Sequence, residues 1–322
     1  MSKATRNLLK SDFAYYPTQK INWFPGHMRK AKRQILSQMR KVDLFVEVRD
    51  LRVPFTSHNI LLDELIPKDK KRVVVYNKAD LANPKMTQKY LKYTREVEKY
   101  DCFEMSAKKH IHVDKFISHI KHKVNPRFST IGNWMMIGGN PNVGKSTIIN
   151  TLRVKEDNIE HNRKSGARVG AVPCITRSVT GFKVMTNPLT YLIDTPGITQ
   201  PKILNNEDGL RLCAVGSIRD GIIIEHETTI RYILYQLNNK GVTKYVSFYN
   251  LKEPTDDFET FARGARSLHG RMSHHNLEIS ILKDFREGKL GRITIDEDPE
   301  TEAERRRQIL EEIRLQELEK QD

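Results

Sequence analysis

The stretch Gly139-Asn-Pro-Asn-Val-Gly144-Lys145-Ser146 decides the fold. Apolar residues from Trp134 to Ile137 predict a strand before it, and the pattern from Ser146 to Leu152 predicts a helix after it. The glycines let successive backbone N–H groups turn towards phosphates, and the helix N-terminus adds the positive end of its dipole. The strand-loop-helix context is the one that a phosphate-binding loop needs. It predicts that Lys145 reaches the terminal phosphates and that Ser146 binds Mg²⁺.

A guanine-recognition box, Asn77-Lys78-Ala79-Asp80, stands before this loop rather than after it, at the end of an apolar strand from Arg72 to Tyr76. The Asp80 carboxylate can accept two hydrogen bonds, from the guanine ring N–H and from its exocyclic amine. The Lys78 stem can lie along the base, and Asn77 can tie the box to the phosphate loop. Ser106-Ala107-Lys108, after a short strand from Cys102 to Met105, is a weaker candidate for the loop whose backbone N–H meets the guanine oxygen.

The fourth nucleotide motif is Asp194-Thr-Pro-Gly197, which closes a strand from Tyr191 to Ile193. Asp194 would hold Mg²⁺ through a water molecule, and the Gly197 N–H would meet the γ-phosphate. Thr176 lies between the phosphate loop and Asp194, where a metal-binding switch threonine is expected. Each motif alone is consistent with an ordinary turn. Four of them at strand ends predict an α/β domain that binds GTP.

The order of these motifs resembles that of the circularly permuted GTPases. Three further stretches are similar to the branch that contains the ribosome-assembly proteins RbgA and YlqF: Trp23-Phe-Pro-Gly-His27-Met28, Asp50-Leu-Arg-Val-Pro54 and Gly209-Leu-Arg-Leu212. The similarity extends over about residues 21–292. Within the branch, the length and the N-terminal extension resemble the mitochondrial ribosome-associated GTPases.

The resemblance implies an α/β fold: a circularly permuted P-loop GTPase domain with a doubly wound, mostly parallel sheet, followed by a helical C-terminal domain. Permutation leaves the ligand loops at the carboxyl ends of the parallel strands. In this chain the switch at residues 194–197 leads through Gln200-Pro-Lys202 directly into the C-terminal segment. We therefore expect an order–disorder change of the switch to be connected covalently to whatever that segment binds.

Hydrolysis needs a polar group that the switch does not supply. Many GTPases place a glutamine after the Asp-x-x-Gly motif to orient the attacking water, whereas this chain has Ile198. The resemblance implies that His27 takes this role, since an imidazole titrates near neutral pH and can hydrogen-bond water. It also implies that Asn142 binds potassium beside the β- and γ-phosphates. From the residues alone, a surface or capping role for His27 and a turn role for Asn142 stay open.

The site residues expected from the sequence fall into three sets. The catalytic residues are His27 and Lys145. The metal ligands are Ser146, Thr176 and, through water, Asp194 for Mg²⁺, with Asn142 for potassium. The GTP contacts are Asn77, Lys78, Ala79, Asp80, Ser106, Ala107, Lys108, Asn142, Val143, Gly144, Lys145, Ser146, Thr147 and Gly197.

A length of 322 residues corresponds to about two domains. We expect a GTPase domain at residues 21–203 and a helical RNA-binding domain at residues 204–295, where apolar residues such as Ile230, Ile233, Leu234 and Leu237 recur at helical spacing. Residues 1–20 form an N-terminal extension, and residues 296–322 a charged helical tail that either docks on a partner or stays solvated. No apolar run reaches the roughly 18 residues of a membrane span. The three cysteines lack metal-ligand spacing.

The charge balance predicts a polyanionic partner. The formal net charge is +15 with a pI of 9.6, and such an excess attracts nucleic acid by counterion release. The tail carries 11 acidic and 5 basic residues, so the positive excess lies in the residues before it. Donors suited to phosphates and 2′-hydroxyls cluster around one loop-like stretch: Arg266, His269, Arg271, His274 and His275. Folded ribosomal RNA is the favoured partner, and a solvated basic surface is the alternative.

These features predict a GTP-hydrolysing assembly factor of the large mitochondrial ribosomal subunit. It would bind the precursor and its rRNA in the GTP state and leave as the GDP form. The alternative is a GTP-dependent RNA-binding scaffold with negligible turnover. We expect the mitochondrial matrix as location, with peripheral contact with the inner membrane left open and the cytoplasm as the alternative. The absence of a lipidation motif disfavours a membrane-linked signalling G protein.

Overall fold

A computed structural model of the chain describes residues 36–124, 132–162, 181–193, 203, 205–218 and 224–318. Six strands form one sheet in the order β3-β2-β1-β4-β6-β5. They are β1 Leu44–Asp50, β2 Lys71–Asn77, β3 Asp101–Glu104, β4 Asn133–Gly138, β5 Gly181–Thr186 and β6 Leu189–Ile193. β5 pairs antiparallel with β6, and the other pairs are parallel. The predicted α/β fold with a mostly parallel sheet is confirmed.

Ten helices lie wholly within the described residues, and residues 36–39 are also helical. Four lie within the sheet-forming part of the chain: α1 Ile60–Leu65, α2 Pro84–Glu96, α3 Val113–Lys123 and α4 Lys145–Asn162. Six follow it: α5 Asn206–Ala214, α6 His226–Asn239, α7 Lys244–Phe248, α8 Phe258–His269, α9 His274–Arg286 and α10 Pro299–Leu318. The C-terminal part is therefore helical, as predicted. The bounds of the N-terminal extension, the GTPase domain, the helical domain and the charged tail stay predictions.

The central strands are buried on both faces. β1 reads Leu-Phe-Val-Glu-Val-Arg-Asp and is buried along its whole length, as expected of a strand that helices cover on both sides. On one face Val46 and Val48 share a core with Phe116 of α3 and Ile148 of α4. On the other face apolar residues pack in two smaller clusters, one with α1 and one with α2. The helices after the sheet have a separate core, which Val53 joins from the loop after β1.

Five parallel strands end at the same edge of this sheet. Their last residues are Asp50, Asn77, Glu104, Gly138 and Ile193. The register places Asp50 beside Asn77, and Met136 beside Ile193. Ligands of open α/β sheets bind outside the carboxyl ends of the strands. This edge therefore carries the loops that contain the predicted nucleotide motifs.

After α9 the chain returns to this edge through a docking segment, residues 291–296. The Ile293 N–H donates to Leu81 O at 2.9 Å, and the Ile295 N–H donates to Arg52 O at 2.7 Å. Thr294 Oγ1 accepts from the Asn83 N–H at 3.2 Å. These bonds fasten the docking segment along the guanine box and the loop after β1.

The first two turns of α10 pack on the rest of the molecule. Arg211 of α5 is buried, and its guanidinium pairs with Asp296 at 3.1 Å and with Glu302 at 2.6 Å. Arg306 donates to Phe55 O at 2.9 Å and lies over the Phe55 ring. Within the described parts of the chain, no helix combines the length and apolar character that crossing a membrane requires.

Candidate functional site

The phosphate-binding loop connects β4 to α4, as predicted, and two of its glycines are required by its shape. Gly139 has φ of +142°, and a Cβ there would lie 2.4 Å from Val48 O. Gly144 has φ of +101°, and a Cβ there would lie 2.2 Å from Asn77 Nδ2. L-residues with a side chain are strained at positive φ. The loop can therefore approach β1 and the guanine box this closely only with glycine at both positions.

One buried amide joins three loops at this edge. The Asn77 side chain is 3% exposed. Its Nδ2 donates to Val143 O of the phosphate loop at 2.9 Å, and its Oδ1 accepts from the Ala107 N–H at 3.0 Å. The backbone N–H of Ala79 donates to Met105 O at 3.1 Å. The guanine box, the Ser106-Ala107-Lys108 loop and the phosphate loop thus form one connected unit.

Lys78 connects the guanine box to β1 and to the phosphate loop. Its Nζ lies 2.8 Å from Asp50 Oδ2 and donates to Asn142 O at 2.7 Å. Burial lowers the pKa of Lys78, and the Asp50 carboxylate offsets part of that effect. Burial alone would raise the pKa of Asp50, but Arg52 and Lys78 outweigh it and hold that pKa below its ordinary value. The sequence analysis did not predict the Asp50–Lys78 ion pair. A carboxylate at the end of an apolar strand is the feature of the sequence that could have indicated it.

The three loops border a cleft of about 480 Å³. The residues that line it from the sheet side include Asn77, Lys78, Asp80, Leu81, Ser106, Lys108, Asn142, Gly144 and Thr147. Ala107 and Val143 are buried behind this wall, while Ala79 contributes backbone to the loop. Eight of the predicted GTP contacts thus line one cavity.

The end of α9 forms the opposite wall of this cleft, through Arg286, Glu287 and Lys289. Arg286 donates to Cys213 O at 2.7 Å and to Ala214 O at 3.1 Å, at the C-terminus of α5. Asn142 Nδ2 donates to Gly216 O at 2.7 Å. The sequence did not predict this wall, because its residues lie more than 60 positions from the nearest nucleotide motif and match no motif themselves.

Lys145 and Ser146 begin α4 beside the cleft. Lys145 Nζ donates to Gly139 O at 3.0 Å and to Asn140 O at 2.7 Å, within its own loop. The Ser146 side chain is exposed in the first turn of α4. A hydroxyl there fits Mg²⁺, which prefers oxygen ligands and retains several waters. His27, Thr176, Asp194 and Gly197 lie outside the described residues.

Comparison with known proteins agrees with this geometry. The profile of a family described as "50S ribosome-binding GTPase" matches residues 135–250. "Mitochondrial ribosome-associated GTPase 1" of Mus musculus is 32% identical and covers 92% of this chain and 96% of its own length. "Ribosome biogenesis GTPase A" of Priestia megaterium is 33% identical and covers 88% of this chain and 98% of its own length. The chain belongs to this family of ribosome-associated GTPases.

The fold of this GTPase is also found in a GDP-bound structure of YlqF, with a TM-score of 0.55 and 24% sequence identity. That match covers 83% of this chain and all of the YlqF chain. The predicted fold, a circularly permuted P-loop GTPase domain followed by helices, is thus confirmed. The family hydrolyses GTP, and GTPases in general use Mg²⁺ for this reaction.

Proposed function

We propose that this GTPase assists assembly of the large subunit of the mitochondrial ribosome, binding a precursor in the GTP state and leaving after hydrolysis. The observation that carries the proposal is the Asn77 bridge, which holds the guanine box, the Ser106-Ala107-Lys108 loop and the phosphate loop around one cleft. The names of the relatives, mitochondrial ribosome-associated GTPase and ribosome biogenesis GTPase, support the ribosomal particle as the partner.

Within the cleft we assign guanine recognition to Asp80 and the Ala107 N–H. The backbone N–H groups from Asn142 to Thr147 bind the phosphates, because the glycine-shaped loop leads into the N-terminus of α4. Gly197 would meet the γ-phosphate. Ser146, Thr176 and, through water, Asp194 would hold Mg²⁺, which neutralises charge on the β- and γ-phosphates.

Lys145 would change partners when GTP binds. Its ammonium group donates to the carbonyls of Gly139 and Asn140. A phosphate is a stronger acceptor for an ammonium than a neutral carbonyl, since charge-assisted hydrogen bonds are about twice as strong. We therefore assign Lys145 to the terminal phosphates and expect its loop contacts to be replaced in the GTP complex.

For hydrolysis we assign the water-positioning role to His27, because Ile198 supplies no polar group. Single-turnover hydrolysis of GTP, measured with and without large ribosomal subunits, tests this function. We expect slow basal hydrolysis and stimulation by the particle. His27→Ala should bind GTP normally and lose about 10²–10⁴-fold of the stimulated rate.

Two outcomes would contradict these assignments separately. Stimulated hydrolysis by His27→Ala within a few-fold of the unsubstituted protein would remove His27 from the mechanism. GTP-dependent binding to the particle with no turnover in either protein would favour the alternative, an RNA-binding scaffold. His110→Ala serves as the matched control, since His110 is an exposed histidine on the loop after β3.

We assign binding of ribosomal RNA to a helical domain at residues 204–295, which follows a GTPase domain at residues 21–203. Residues 1–20 and 296–322 are flanking segments. The basic residues of α8 and of the loop after it support this partner, since Arg263, Arg266 and Arg271 are exposed. Recovery of the protein with a non-hydrolysable GTP analogue, followed by sequencing of the bound RNA, tests it. Mitochondrial relatives support a matrix location, with peripheral contact with the inner membrane as a finer proposal.

A further inference from the structure

A cluster of histidines and one carboxylate lies where the N-terminus of α6 meets the N-terminus of α9, away from the nucleotide cleft. His226 is the first residue of α6, and His274, His275 and Glu278 lie in the first turns of α9. One ligand atom each of His226, His275 and Glu278 lie within 4.8 Å of one another. The two imidazole rings are 5.0 Å apart between centroids.

Glu278 is a nearly buried carboxylate without a permanently charged partner among the described residues. Its side chain is 12% exposed, and its ion-pair partners among the described residues are His226 at 3.6 Å and His274 at 3.4 Å. A buried charge is costly unless it is paired or binds a metal. Lysine and arginine side chains of the described region do not pair with it. A cation in this place would satisfy the carboxylate.

His226 gives a second, independent indication. Its side chain is 11% exposed, and Nε2 is buried with no hydrogen-bond partner among the described residues. Buried side-chain nitrogen atoms normally have a partner. The ring that carries this nitrogen lies beside a second imidazole, and its Nδ1 is 3.6 Å from Glu278 Oε2, so the group offers the donor types of a transition-metal site.

The backbone that carries these donors is well fixed. α6 and α9 pack through Ile230, Ile233, Leu277 and Ile281 in one apolar core. Ser273 caps α9, since its side chain accepts a hydrogen bond from the Asn276 N–H. His275 and Glu278 are three residues apart and so lie on one face of the helix. Zinc–nitrogen distances of about 2.0–2.1 Å require donors roughly 3.3 Å apart, so the three side chains would move closer together when an ion binds.

We propose that His226, His275 and Glu278 bind a divalent ion of the zinc class and tie α6 to α9. Two imidazoles and a carboxylate are a donor set that Zn²⁺ takes in proteins, with the fourth position filled by water or a further side chain. His274 lies 3.4 Å from Glu278 Oε1, where it either orients the carboxylate or completes the coordination. Glu227 is less suited as a ligand, because it is already paired with Arg231 at 2.7 Å.

Metal binding to the full chain tests the proposal without using GTP hydrolysis. The protein is stripped with a chelator, returned to buffer with Mg²⁺ and GDP, and titrated with Zn²⁺ against a chromophoric chelator. We expect one tight site per chain, a higher unfolding temperature in Zn²⁺, and visible Co²⁺ absorption typical of four-coordinate nitrogen and oxygen ligands. His226→Ala, His275→Ala and Glu278→Gln should each weaken Zn²⁺ binding at least about tenfold.

His122→Ala is the matched control, since His122 is an exposed histidine on α3, and it should bind Zn²⁺ as the unsubstituted chain does. His275→Ala and Glu278→Gln keep the test valid if His226→Ala does not fold, because His275 is exposed and glutamine keeps the size of glutamate. The proposal is overturned if the chain has no site of about one ion, or if the folded variants bind Zn²⁺ as tightly as His122→Ala.

Discussion

At the scale of single residues, we expect Asp80 to determine the base that the cleft prefers. It lines the cleft beside Lys78 and Ser106, and its two carboxylate oxygens both act as acceptors. Asp80→Asn replaces one acceptor with a donor, so we expect GTP affinity to fall by about 1.5–3 kcal/mol and the preference to move towards xanthosine triphosphate. Nucleotide binding measured with both triphosphates checks this. Asp69→Asn, an exposed aspartate in the turn before β2, is the control. Unchanged GTP affinity in Asp80→Asn would mean that the guanine box is misassigned.

We expect Asn142 to bind a monovalent cation beside the phosphates. Its Nδ2 donates to Gly216 O, while no described residue donates a hydrogen bond to its Oδ1, which can therefore face a cation. A potassium ion there would neutralise charge that develops during phosphoryl transfer. We expect faster hydrolysis in potassium than in sodium buffer. Asn142→Gly should remove the difference without backbone strain, since φ is +57° at this position. Equal rates of the unsubstituted protein in the two buffers would discard the potassium site.

At the scale of elements, the docking segment supports the guanine box from outside the sheet. Arg292 donates to Ala82 O and to Ala79 O, both at 3.0 Å, on either side of Asp80 and Leu81. Without these bonds the loop has more conformational freedom, which nucleotide binding must then restrict. We expect Arg292→Ala to weaken GTP and GDP binding by about 1 kcal/mol or more. Arg263→Ala, an exposed arginine of α8, is the control. Isothermal titration with GTP and GDP measures the two affinities. Equal affinities of Arg292→Ala and Arg263→Ala would contradict the prediction.

β1 contains a charged network that affects the stability of the sheet. Glu47 is buried between Arg49 at 2.9 Å and Arg72 at 2.7 Å. Burial alone would raise the pKa of Glu47, but the two guanidinium groups outweigh it and lower the pKa. Removing one member of a buried pair typically costs about 3–5 kcal/mol. Since Arg49 also contacts Glu98, and Arg72 also contacts Asp63, we expect Glu47→Gln to cost about 3 kcal/mol at pH 7.

The same pair predicts a pH dependence. Because the pKa of Glu47 is lower in the folded state, its stabilisation is complete above its ordinary value of 4.5 and is lost as the pH falls below it. The loss is at most about 1.4 kcal/mol per pH unit. Urea unfolding of the unsubstituted chain and Glu47→Gln at pH 7 and pH 3.5 should show the difference shrinking in acid. Glu96→Gln, an exposed glutamate of α2, should show none. If the difference in unfolding free energy between the unsubstituted chain and Glu47→Gln stayed constant with pH, the Glu47 charge would not be its cause.

The sequence could predict the elements that carry local patterns. Valines 73–75 indicate a buried strand, and the glycines around Asn142 indicate a loop that wraps phosphates. The Arg292 bonds to Ala79 and Ala82, more than 200 residues away, have no local pattern. The same holds for the Asn142–Gly216 contact and the His226–Glu278 pair, because contacts between distant segments depend on how helices pack rather than on the spacing of residues.

At the scale of the whole molecule, ion pairs hold the first part of α10, the last described helix, against α5. Glu302 and Asp296 are both buried against Arg211, while Arg305 pairs with Asp208 at 2.7 Å. Most residues from Arg307 to Leu315 are exposed. The acidic tail predicted from the sequence therefore has a packed first part. Its later described turns offer little contact with the rest of the chain.

This division predicts unequal effects of two truncations. A chain that ends at Asp298 keeps Asp296 but leaves Arg211 without Glu302, so we expect it to lose about 3 kcal/mol of unfolding free energy, the lower end for a broken buried ion pair. A chain that ends at Glu312 keeps Glu302, Arg305 and Arg306 and should differ by less than about 0.5 kcal/mol, as surface changes do. Urea unfolding of both chains and of Glu302→Gln, which should resemble the shorter chain, measures this. If the two truncated chains were equally stable, the contacts of α10 with Arg211 would not contribute to folding, and residues 299–322 would act as a solvated tail.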